Sequence, residues 1–308
     1  LKIKLISKQD PCLERKSKKN NVEINNAKLA HKIDGIAFVN FLFWFNNKKY
    51  KKLDEISAIK KLEKFRIETK KLIDISFDTI CGSGPNGSII HYRATDKTNR
   101  FIKKNDLLLI DSGGQYREGT TDITRTFSLG NINLDIKRKY TLVLKAMINL
   151  SKFKWPLGLT GKELDLIARS ELWKHGIDYN HGTGHGVGSF LSVHESPPSI
   201  SRKSDVIIEP GMMVTNEPGF YKEKKYGIRI ENVLLVVNDN QKKLNKRPIL
   251  KFETLTMAPI STKLIEKKLL NSEEIYWLND YHKKVFENLE RDISPEIRTW
   301  LKNECKKI

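Results

Sequence analysis

The sequence predicts an α+β fold in which two similar halves face each other across a site. The predicted elements run in the order helix, helix, strands, helix, helix, strands, and two more helices end the chain. Strands that follow one another in groups, rather than alternating singly with helices, favour this class. Each group of strands also carries one pair of acidic residues, aspartates in the first and glutamates in the second. No internal sequence repeat is strong enough to establish the two halves by itself.

The first half is predicted to open with two helices. Apolar residues recur there at helical spacing, for example Ile33 with Phe41 and later Leu62 with Phe65. Strands follow, since an apolar run enters a Gly-Gly turn and extended segments flank it. The predicted elements are helices over 23–46 and 57–73, a β-rich run over 76–92, a strand over 105–113, and paired strands over 115–118 and 121–127.

The second half repeats this order. A capping box of Thr160 and Glu163 begins one of its helices, and Gly176 ends that helix. A strand-rich piece ends near Pro259, and two polar helices close the chain. The predicted elements are helices over 135–152 and 160–175, strands over 212–217 and 227–237, and terminal helices over 272–290 and 295–304.

Three segments are predicted along the chain. Residues 1–22 are polar and basic and begin at Leu1 rather than at a methionine, which indicates a connector from a missing upstream region. Because residues 55–260 contain no credible linker, residues 23–260 are predicted to form one catalytic domain. Residues 261–308 are predicted to form a C-terminal helical extension.

Composition places the chain among globular proteins of a reducing compartment. Of its 308 residues, 39% are hydrophobic, and its three cysteines lie far apart in sequence. An odd number of widely spaced cysteines indicates neither a disulfide framework nor a zinc site, which favours a cytoplasmic setting. The strongest apolar run, residues 36–45, is too short to cross a bilayer and is predicted to be the buried part of a helix. No membrane partner is expected.

The net charge of +19 is compatible with a nucleic-acid partner. However, Lys, Asn and Ile are all abundant, as an AT-rich genome produces, and the lysines form no compact basic motif with interleaved aromatic residues. A basic nucleic-acid-binding protein is therefore a minor alternative, and no nucleic-acid partner is expected.

Five candidate metal ligands occur in one ordered series. Four carboxylates and one imidazole are what two adjacent divalent cations need to clamp and activate one water for hydrolysis. Hard oxygen ligands with one imidazole suit Mn²⁺, Co²⁺, Zn²⁺ or Fe²⁺ rather than a soft-metal thiolate site. The five residues, with their contexts, are Asp111 in LIDSGGQY, Asp122 in GTTDITRT, His185 in HGTGHGVG, Glu217 in TNEPGFY and Glu231 in GIRIEN.

The spacing of the acidic residues predicts that they converge. Asp122 lies eleven residues after Asp111, and Glu231 lies fourteen after Glu217, with a glycine-containing turn inside each pair. On a hairpin, such a separation returns the second carboxylate beside the first. Any one of these residues alone is more often a solvated side chain or a cap. The five together, in ordered contexts, indicate a metal centre.

The strings above, with GPNGSIIHY, HGTGHGVGSFLSVHE and YGIRIEN, resemble the signatures of the pita-bread metallopeptidases. Within that family the likeness is greatest to the Xaa-Pro aminopeptidases (aminopeptidase P) of the cytosolic, eukaryotic-type, three-domain form, and it covers about residues 20–304. The resemblance implies two pseudo-symmetric halves with curved antiparallel sheets covered by helices. It also implies that the chain corresponds to the catalytic C-terminal part of the three-domain form.

The resemblance implies a role for each metal ligand. Asp111 would chelate the first metal, and Asp122 and Glu231 would bridge the two. His185 and Glu217 would complete the second metal. Mn²⁺ is expected first, with Zn²⁺ or Co²⁺ as alternatives.

The resemblance also implies substrate-binding residues. His91 and His194 would hold the substrate and stabilise the tetrahedral intermediate. His181 would line the pocket near the residue after the scissile bond. Tyr221 and Arg229 would lie around the proline pocket and the bridging carboxylate.

These roles imply an aminopeptidase that hydrolyses the N-terminal Xaa-Pro bond through a metal-bridging hydroxide. Glu217 would accept the proton of the attacking water and pass it to the leaving proline nitrogen. His194 or His91 would donate to the developing oxyanion. The expected partners are peptides with proline at the second position, and the resemblance favours a homodimer.

Alternatives on the same fold stay open. A prolidase-like dipeptidase or a methionine aminopeptidase is disfavoured by the string HGTGHGVGSFLSVHE and by the C-terminal extension. An inactive pita-bread binding module is disfavoured by the complete ligand set. His31, His175 and His282 match nothing functional and are predicted to lie on helix surfaces.

Overall fold

The computed structural model describes residue 8 and residues 10–47 and 53–308. Residues 1–7 and 9 of the predicted connector therefore lie outside the described residues. None of the helices in the described part is both long and apolar enough to cross a membrane. These helices are α1 Pro11–Ser17, α2 Asn21–Asn47, α3 Glu55–Glu68, α4 Leu134–Ser151, α5 Gly161–Trp173, α6 Ser272–Leu289 and α7 Pro295–Glu304.

The strands of the described residues form four antiparallel sheets. They are β1 Leu72–Ile75, β2 Ile80–Ser83, β3 Leu107–Ser112, β4 Gly114–Tyr116, β5 Gly119–Thr120, β6 Ile123–Ser128, β7 Lys154–Pro156, β8 Gly184–Gly186, β9 Glu195–Ile200, β10 Met213–Asn216, β11 Gly219–Lys222, β12 Tyr226–Arg229, β13 Asn232–Leu244 and β14 Arg247–Thr254. The strand orders are β1-β4-β5, β2-β3-β6, β7-β14-β13-β10-β8-β9 and β11-β12.

One strand arrangement occurs twice. In the first half β3 pairs with β6, and the short paired strands β4 and β5 connect them. In the second half β10 pairs with β13, and the β11–β12 hairpin connects them. Each half therefore brings the connected ends of two strands together, and the predicted acidic pairs lie at these ends. This confirms the predicted α+β class with two similar halves.

Helices cover both halves with apolar side chains. Phe41 and Phe45 of α2 pack on Phe127 of β6, with ring centroids 6.4 and 5.0 Å apart. In the second half, Leu164 of α5 and Val214 of β10 belong to one buried cluster. Burying such a side chain contributes roughly 1.5–3 kcal/mol, so these contacts stabilise the strands that carry the site.

The terminal helices predicted over 272–290 and 295–304 are confirmed as α6 and α7. Leu278 and Val285 of α6 pack in the same buried cluster as Met147 of α4. The apolar run 36–45 supplies buried residues of α2, as predicted. The C-terminal extension is therefore part of the core rather than an appendage on the surface.

Two of the three histidines predicted on helix surfaces are buried. His31 is 3% exposed and His282 is 0% exposed, so these predictions were wrong. His31 follows buried Ala27 by one turn of α2, and His282 follows buried Leu278 by one turn of α6. Each histidine therefore lies on the covered face of its helix. His175 is exposed, as predicted.

The predicted helix over 57–73 is too long. α3 ends at Glu68, because the amide and the hydroxyl of Thr69 both donate back to the carbonyl oxygen of Arg66. Lys70 then adopts a left-handed conformation with a φ of 59°, which ends a helix. The chain continues into β1 instead.

The sequence does not predict β9, because Pro197 and Pro198 lie in it and cannot donate to a ladder. β9 is at the edge of the six-stranded sheet, where missing donors are tolerated. α1 contacts this strand, and Lys19 forms a buried ion pair with Glu195 of β9. The described part of the predicted connector is therefore packed on the residues that follow it.

Candidate metal centre

The aspartate pair lies where β3 and β6 meet. Asp111 is opposite Thr124 in the β3–β6 ladder, and Asp122 immediately precedes β6. The two aspartates are 8% and 3% exposed. Oδ1 of each has no hydrogen-bond partner among the described residues. A buried carboxylate oxygen without a donor is costly, and a cation is the natural partner for it.

The glutamate pair occupies the equivalent place in the second half. Glu217 follows β10 and Glu231 precedes β13, on either side of the last ladder pair of these strands. Thr215 Oγ1 lies 3.2 Å from Oε1 of Glu217. Thr124 Oγ1 donates to Oε2 of Glu231 at 2.5 Å. Since Thr124 belongs to β6, this hydrogen bond joins the two halves at the site.

His185 lies in β8 and reaches both acidic pairs. Its Nδ1 is 2.9 Å from the carbonyl oxygen of Gly186, which assigns the proton to Nδ1 and leaves Nε2 free as a ligand atom. Nε2 is 3.5 Å from Oδ2 of Asp122 and 3.5 Å from Oε1 of Glu217. Ligand atoms that share one cation at about 2.1 Å are about 3–3.5 Å apart, so this spacing fits a common cation.

All five predicted ligands line one cavity of about 300 Å³. Ligand atoms of Asp122, His185 and Glu231 lie within 4.8 Å of one another. The predicted substrate-binding residues lie at the same place: His91, His181, His194 and Arg229 line the cavity, and Tyr221 lies behind it in contact with two of them. The fold therefore brings the two predicted groups of residues together.

The carboxylates of the cavity destabilise one another when no cation is bound. Burial raises the pKa values of Asp122 and Glu231 well above their usual range, and the neighbouring carboxylates raise them further. Burial raises the pKa of Glu217 to about 8, against the opposing effect of Arg229. Burial also lowers the pKa of His185 to about 4, so its imidazole is neutral and able to ligate. Divalent cations would offset the repulsion between carboxylates, so the ligand set fits them.

Arg229 connects one of the candidate metal ligands to two of the predicted substrate-binding residues. Its Nη2 donates to Oδ2 of Asp111 at 2.6 Å, and its Nη1 donates to the Tyr221 hydroxyl at 2.7 Å. That hydroxyl lies 2.9 Å from Nε2 of His181, whose Nδ1 lies 2.8 Å from the carbonyl oxygen of Gly182. Burial, followed by the charge of Arg229, lowers the pKa of His181 to about 3. The ring is therefore neutral, and both of its nitrogens are engaged by Gly182 and Tyr221.

His91 and His194 are the exposed imidazoles of the cavity. His91 lies in a turn after the 3₁₀-helix Gly84–Ser88, rather than in an extended segment. His194 immediately precedes β9, and its ring centroid is 4.4 Å from that of His185, at an interplanar angle of 69°. Both are placed to contact a substrate that reaches the ligand cluster.

The sequence does not predict two residues that shape the site. Thr124 donates to the side chain of Glu231, and Arg125 donates to the main-chain carbonyl oxygen of Glu231 at 2.5 Å. Both lie in the string GTTDITRT, in which only the aspartate stands out as a ligand. The available signal for Arg125 was its position between Ile123 and Phe127 at alternate residues of one strand, because a charged residue on an apolar strand face needs buried partners.

Two family models match the chain. Metallopeptidase family M24 matches residues 25–238, and the C-terminal region of peptidase M24 matches residues 248–308. The chain belongs to metallopeptidase family M24. The two M24 matches together include every residue of the cavity described above.

Curated relatives of this M24 chain include proteins named Probable Xaa-Pro aminopeptidase P. The protein from Aspergillus flavus is 41% identical over 309 residues, and that from Aspergillus fumigatus is 42% identical over 309 residues. Each alignment covers 97% of this chain and 47% of the relative. The chain therefore spans about half the length of the curated relatives it matches.

Solved M24-like structures superpose on the chain. X-prolyl aminopeptidase from Caenorhabditis elegans, described as a cytosolic enzyme with a di-nuclear active site, gives a TM-score of 0.93 at 37% identity and covers 97% of this chain and 50% of its own. Xaa-Pro dipeptidase from Bacillus anthracis gives a TM-score of 0.71 at 30% identity, covering 81% and 64%. The predicted pita-bread fold and the predicted resemblance to Xaa-Pro aminopeptidases are confirmed.

Proposed function

We propose that this chain is the catalytic part of a dinuclear-metal aminopeptidase that hydrolyses the bond before a proline at the second position of a peptide. One observation carries the proposal: four carboxylates and one imidazole share a cavity in which Oδ1 of Asp111 and of Asp122 is buried without a partner among the described residues. The relatives named Xaa-Pro aminopeptidase P and the C. elegans enzyme with a di-nuclear active site support the substrate class.

The five ligands would hold two divalent cations. Asp111 would hold one, His185 and Glu217 would hold the other, and Asp122 and Glu231 would bridge both. When bound, such a pair lowers the pKa of a shared water so that it can attack a carbonyl carbon near neutral pH. We propose Mn²⁺ as the cation, because four of the five ligands are carboxylates and only one is an imidazole.

We assign the proton transfer to Glu217. Its Oε1 lies 3.5 Å from Nε2 of His185 within the ligand cluster. Its Oε2 lies 3.9 Å from Nε of Arg229, beyond hydrogen-bond distance of that donor, and would accept a proton from the attacking water. As the C–N bond breaks, the proline nitrogen must receive a proton to leave as an amine, and Glu217 would pass to it the proton accepted from the water. His194 or His91, exposed at the cavity, would donate to the oxyanion of the tetrahedral intermediate.

The pocket for the proline ring is assigned to His181 and Tyr221. Their ring centroids are 5.5 Å apart at an interplanar angle of 69°, and both rings are fixed by hydrogen bonds that end on Arg229. A rigid aromatic wall suits a flat, rigid pyrrolidine ring, because little side-chain freedom is lost when the two pack together.

Cleavage of three peptides by the full chain reconstituted with Mn²⁺ tests the proposal. We expect release of arginine from Arg-Pro-Pro and no cleavage of Met-Ala. Cleavage of Gly-Pro alone would instead identify a prolidase-like dipeptidase, the second candidate, which the similarity to the B. anthracis enzyme favours. No cleavage of any peptide with both cations bound would overturn both assignments.

We further propose that the protein acts in the cytoplasm as a homodimer, with residues 23–260 as its catalytic domain and 261–308 as its extension. The C. elegans enzyme is described as cytosolic. Light scattering that gives a monomer at micromolar concentration would overturn the dimer, and fractionation into another compartment would overturn the location.

A further inference from the structure

We propose that Arg125 is a positioning residue for Glu231, and that Tyr281 of the C-terminal extension holds Arg125 in place. The inference rests on the proposed function, because it takes Glu231 to be a ligand shared by two cations. It deepens that function, because it makes helix α6 part of the support of the metal centre.

Glu231 lies between two strands of the second half, so contacts with other segments must fix its position. β12 ends at Arg229 and β13 begins at Asn232, so the two residues between them belong to neither strand. The amide of Glu231 donates to the carbonyl oxygen of Thr124 at 3.1 Å. Its own carbonyl oxygen accepts from Nη1 of Arg125 at 2.5 Å. Neighbouring residues of β6 therefore fix the main chain of the ligand from both sides.

Arg125 is enclosed by hydrogen-bond acceptors. It is 2% exposed, and none of the six acceptors of its guanidinium is a carboxylate. A planar guanidinium has five N–H groups in fixed directions, so it orients several chain segments at once. The acceptors are the carbonyl oxygens of Thr124, Glu231, Ala258 and Pro259, the amide oxygen of Asn232 and the hydroxyl of Tyr281.

Tyr281 is the residue through which the C-terminal extension contacts Arg125. Its hydroxyl lies 2.8 Å from Nη2 of Arg125 and 2.8 Å from the carbonyl oxygen of Ala258, to which it donates. Its ring is stacked on Trp277, with centroids 5.3 Å apart and planes within 10°. The ring packing fixes the hydroxyl independently of Arg125. A residue of α6 thereby holds a side chain that lies 156 positions earlier in the sequence.

This chain of contacts ends on the ligand oxygens. Nη1 of Arg125 donates to the carbonyl oxygens of both Thr124 and Glu231, at 3.0 and 2.5 Å. Thr124 in turn donates to Oε2 of Glu231. Arg125 therefore holds the ligand and its hydroxyl donor as one unit. Loss of a partner outside the ligand shell reduces metal affinity by about 10–100-fold, and we expect the lower end when only the Tyr281 hydroxyl is lost.

Mn²⁺ binding to the full chain tests the inference. Tyr281→Phe removes the hydroxyl and keeps the ring, and Tyr276→Phe on the same helix is the matched control because Tyr276 is 74% exposed. Titration calorimetry gives the affinity, and electron paramagnetic resonance distinguishes an exchange-coupled pair of ions from isolated ones. We expect Tyr281→Phe to bind about ten-fold more weakly with less coupled signal, and Tyr276→Phe to match the unsubstituted chain. Arg125→Lys keeps the positive charge but lacks the planar guanidinium with its several N–H donors, so its affinity for Mn²⁺ should fall by at least the same factor.

The possible results separate the inference from the proposed function. Tyr281→Phe protein that melts at a lower temperature but binds the coupled pair unchanged would overturn the inference. If Tyr281→Phe does not fold, unchanged binding by Arg125→Lys would overturn it equally. An unsubstituted chain that binds the coupled pair but cleaves no Xaa-Pro peptide would overturn the proposed function alone. An unsubstituted chain that binds no cation would overturn both.

Discussion

Nη2 of Arg229 lies 2.6 Å from Oδ2 of Asp111, and Oδ1 of the same carboxylate is buried without a partner among the described residues. The guanidinium therefore fixes one oxygen of the ligand and leaves the other for a cation. Because the same side chain donates to Tyr221, one arginine orients both a proposed metal ligand and a residue of the proposed substrate pocket.

Arg229→Lys should weaken Mn²⁺ binding by about 10–100-fold, because an ammonium cannot hold Asp111 and Tyr221 at once. Titration calorimetry measures the effect. Arg100→Lys is the matched control, since Arg100 pairs with Asp106 away from the cavity. Equal affinities for Arg229→Lys and the unsubstituted chain would contradict the assigned role.

Asp122→Asn should change stability in opposite directions with and without cations. Without them it should raise the melting temperature, because it removes a carboxylate whose pKa is raised by burial and by three neighbouring carboxylates. With Mn²⁺ it should melt below the unsubstituted chain, since a shared ligand is lost. Calorimetry with and without a chelator measures both, and Asp205→Asn at an exposed ion pair is the control. A shift of the same sign in both conditions would count against the metal centre.

Glu217 should make the cation-free protein less stable as pH rises. Its pKa is about 8 in the fold against 4.5 in an unfolded chain, so the folded state binds the proton more tightly. The resulting stability is complete below pH 4.5 and is lost as pH rises through about 8. Mn²⁺ must displace the proton, so its affinity should rise over the same window. Chemical denaturation of chelator-treated protein at several pH values measures how the free energy of unfolding depends on pH. Glu217→Gln should make this dependence weaker. A free energy of unfolding that rises with pH over this window in the unsubstituted chain would refute the prediction.

Tyr221→Phe should raise KM for Xaa-Pro peptides by about ten-fold with a smaller change in kcat, because it removes the hydroxyl that links Arg229 to His181 and loosens the pocket wall. Steady-state kinetics separate the two constants. Tyr226→Phe is a close control, since the hydroxyl of Tyr226 is buried without a partner among the described residues. A fall in kcat with KM unchanged would place Tyr221 in the chemistry instead of the pocket.

Lys19→Met should lower the free energy of unfolding by about 3–5 kcal/mol, because it removes the buried ammonium paired with Glu195 and leaves that carboxylate only the partly exposed Lys16, 3.7 Å away. Chemical denaturation measures the change. Lys162→Met, which breaks the exposed pair with Asp205, should have almost no effect because solvent already screens that pair. Similar losses in both variants would show that burial of the Lys19 pair is unimportant.

The convergence of the five proposed ligands on one cavity could be predicted from sequence, because each of them belongs to a local pattern. Asp111 lies near the end of an apolar strand, and Asp122 follows after a distance that suits a hairpin. The structure contains the corresponding pair of strands, β3 and β6. The same holds for Glu217, which directly follows β10, and for Glu231, which directly precedes β13. The alternation of apolar residues and the spacing of the acidic residues are local properties, so one sequence is enough to find them.

The supporting contacts could not be predicted, because they join distant positions. Arg125 and Tyr281 are 156 residues apart, and Lys19 and Glu195 are 176 apart. No local pattern tells which buried polar groups meet across the core. The prediction for His282 failed for a different reason. Its position one turn after the apolar Leu278 already indicated the buried face of α6, although it was predicted on the surface.

The count of tightly bound Mn²⁺ per chain tests the central claim most directly. After reconstitution and removal of free metal, elemental analysis should find two ions per unsubstituted chain and fewer in Asp122→Asn. An unsubstituted chain that retains none, or an Asp122→Asn chain that retains two as tightly, would contradict the dinuclear centre on which the proposed peptidase activity depends.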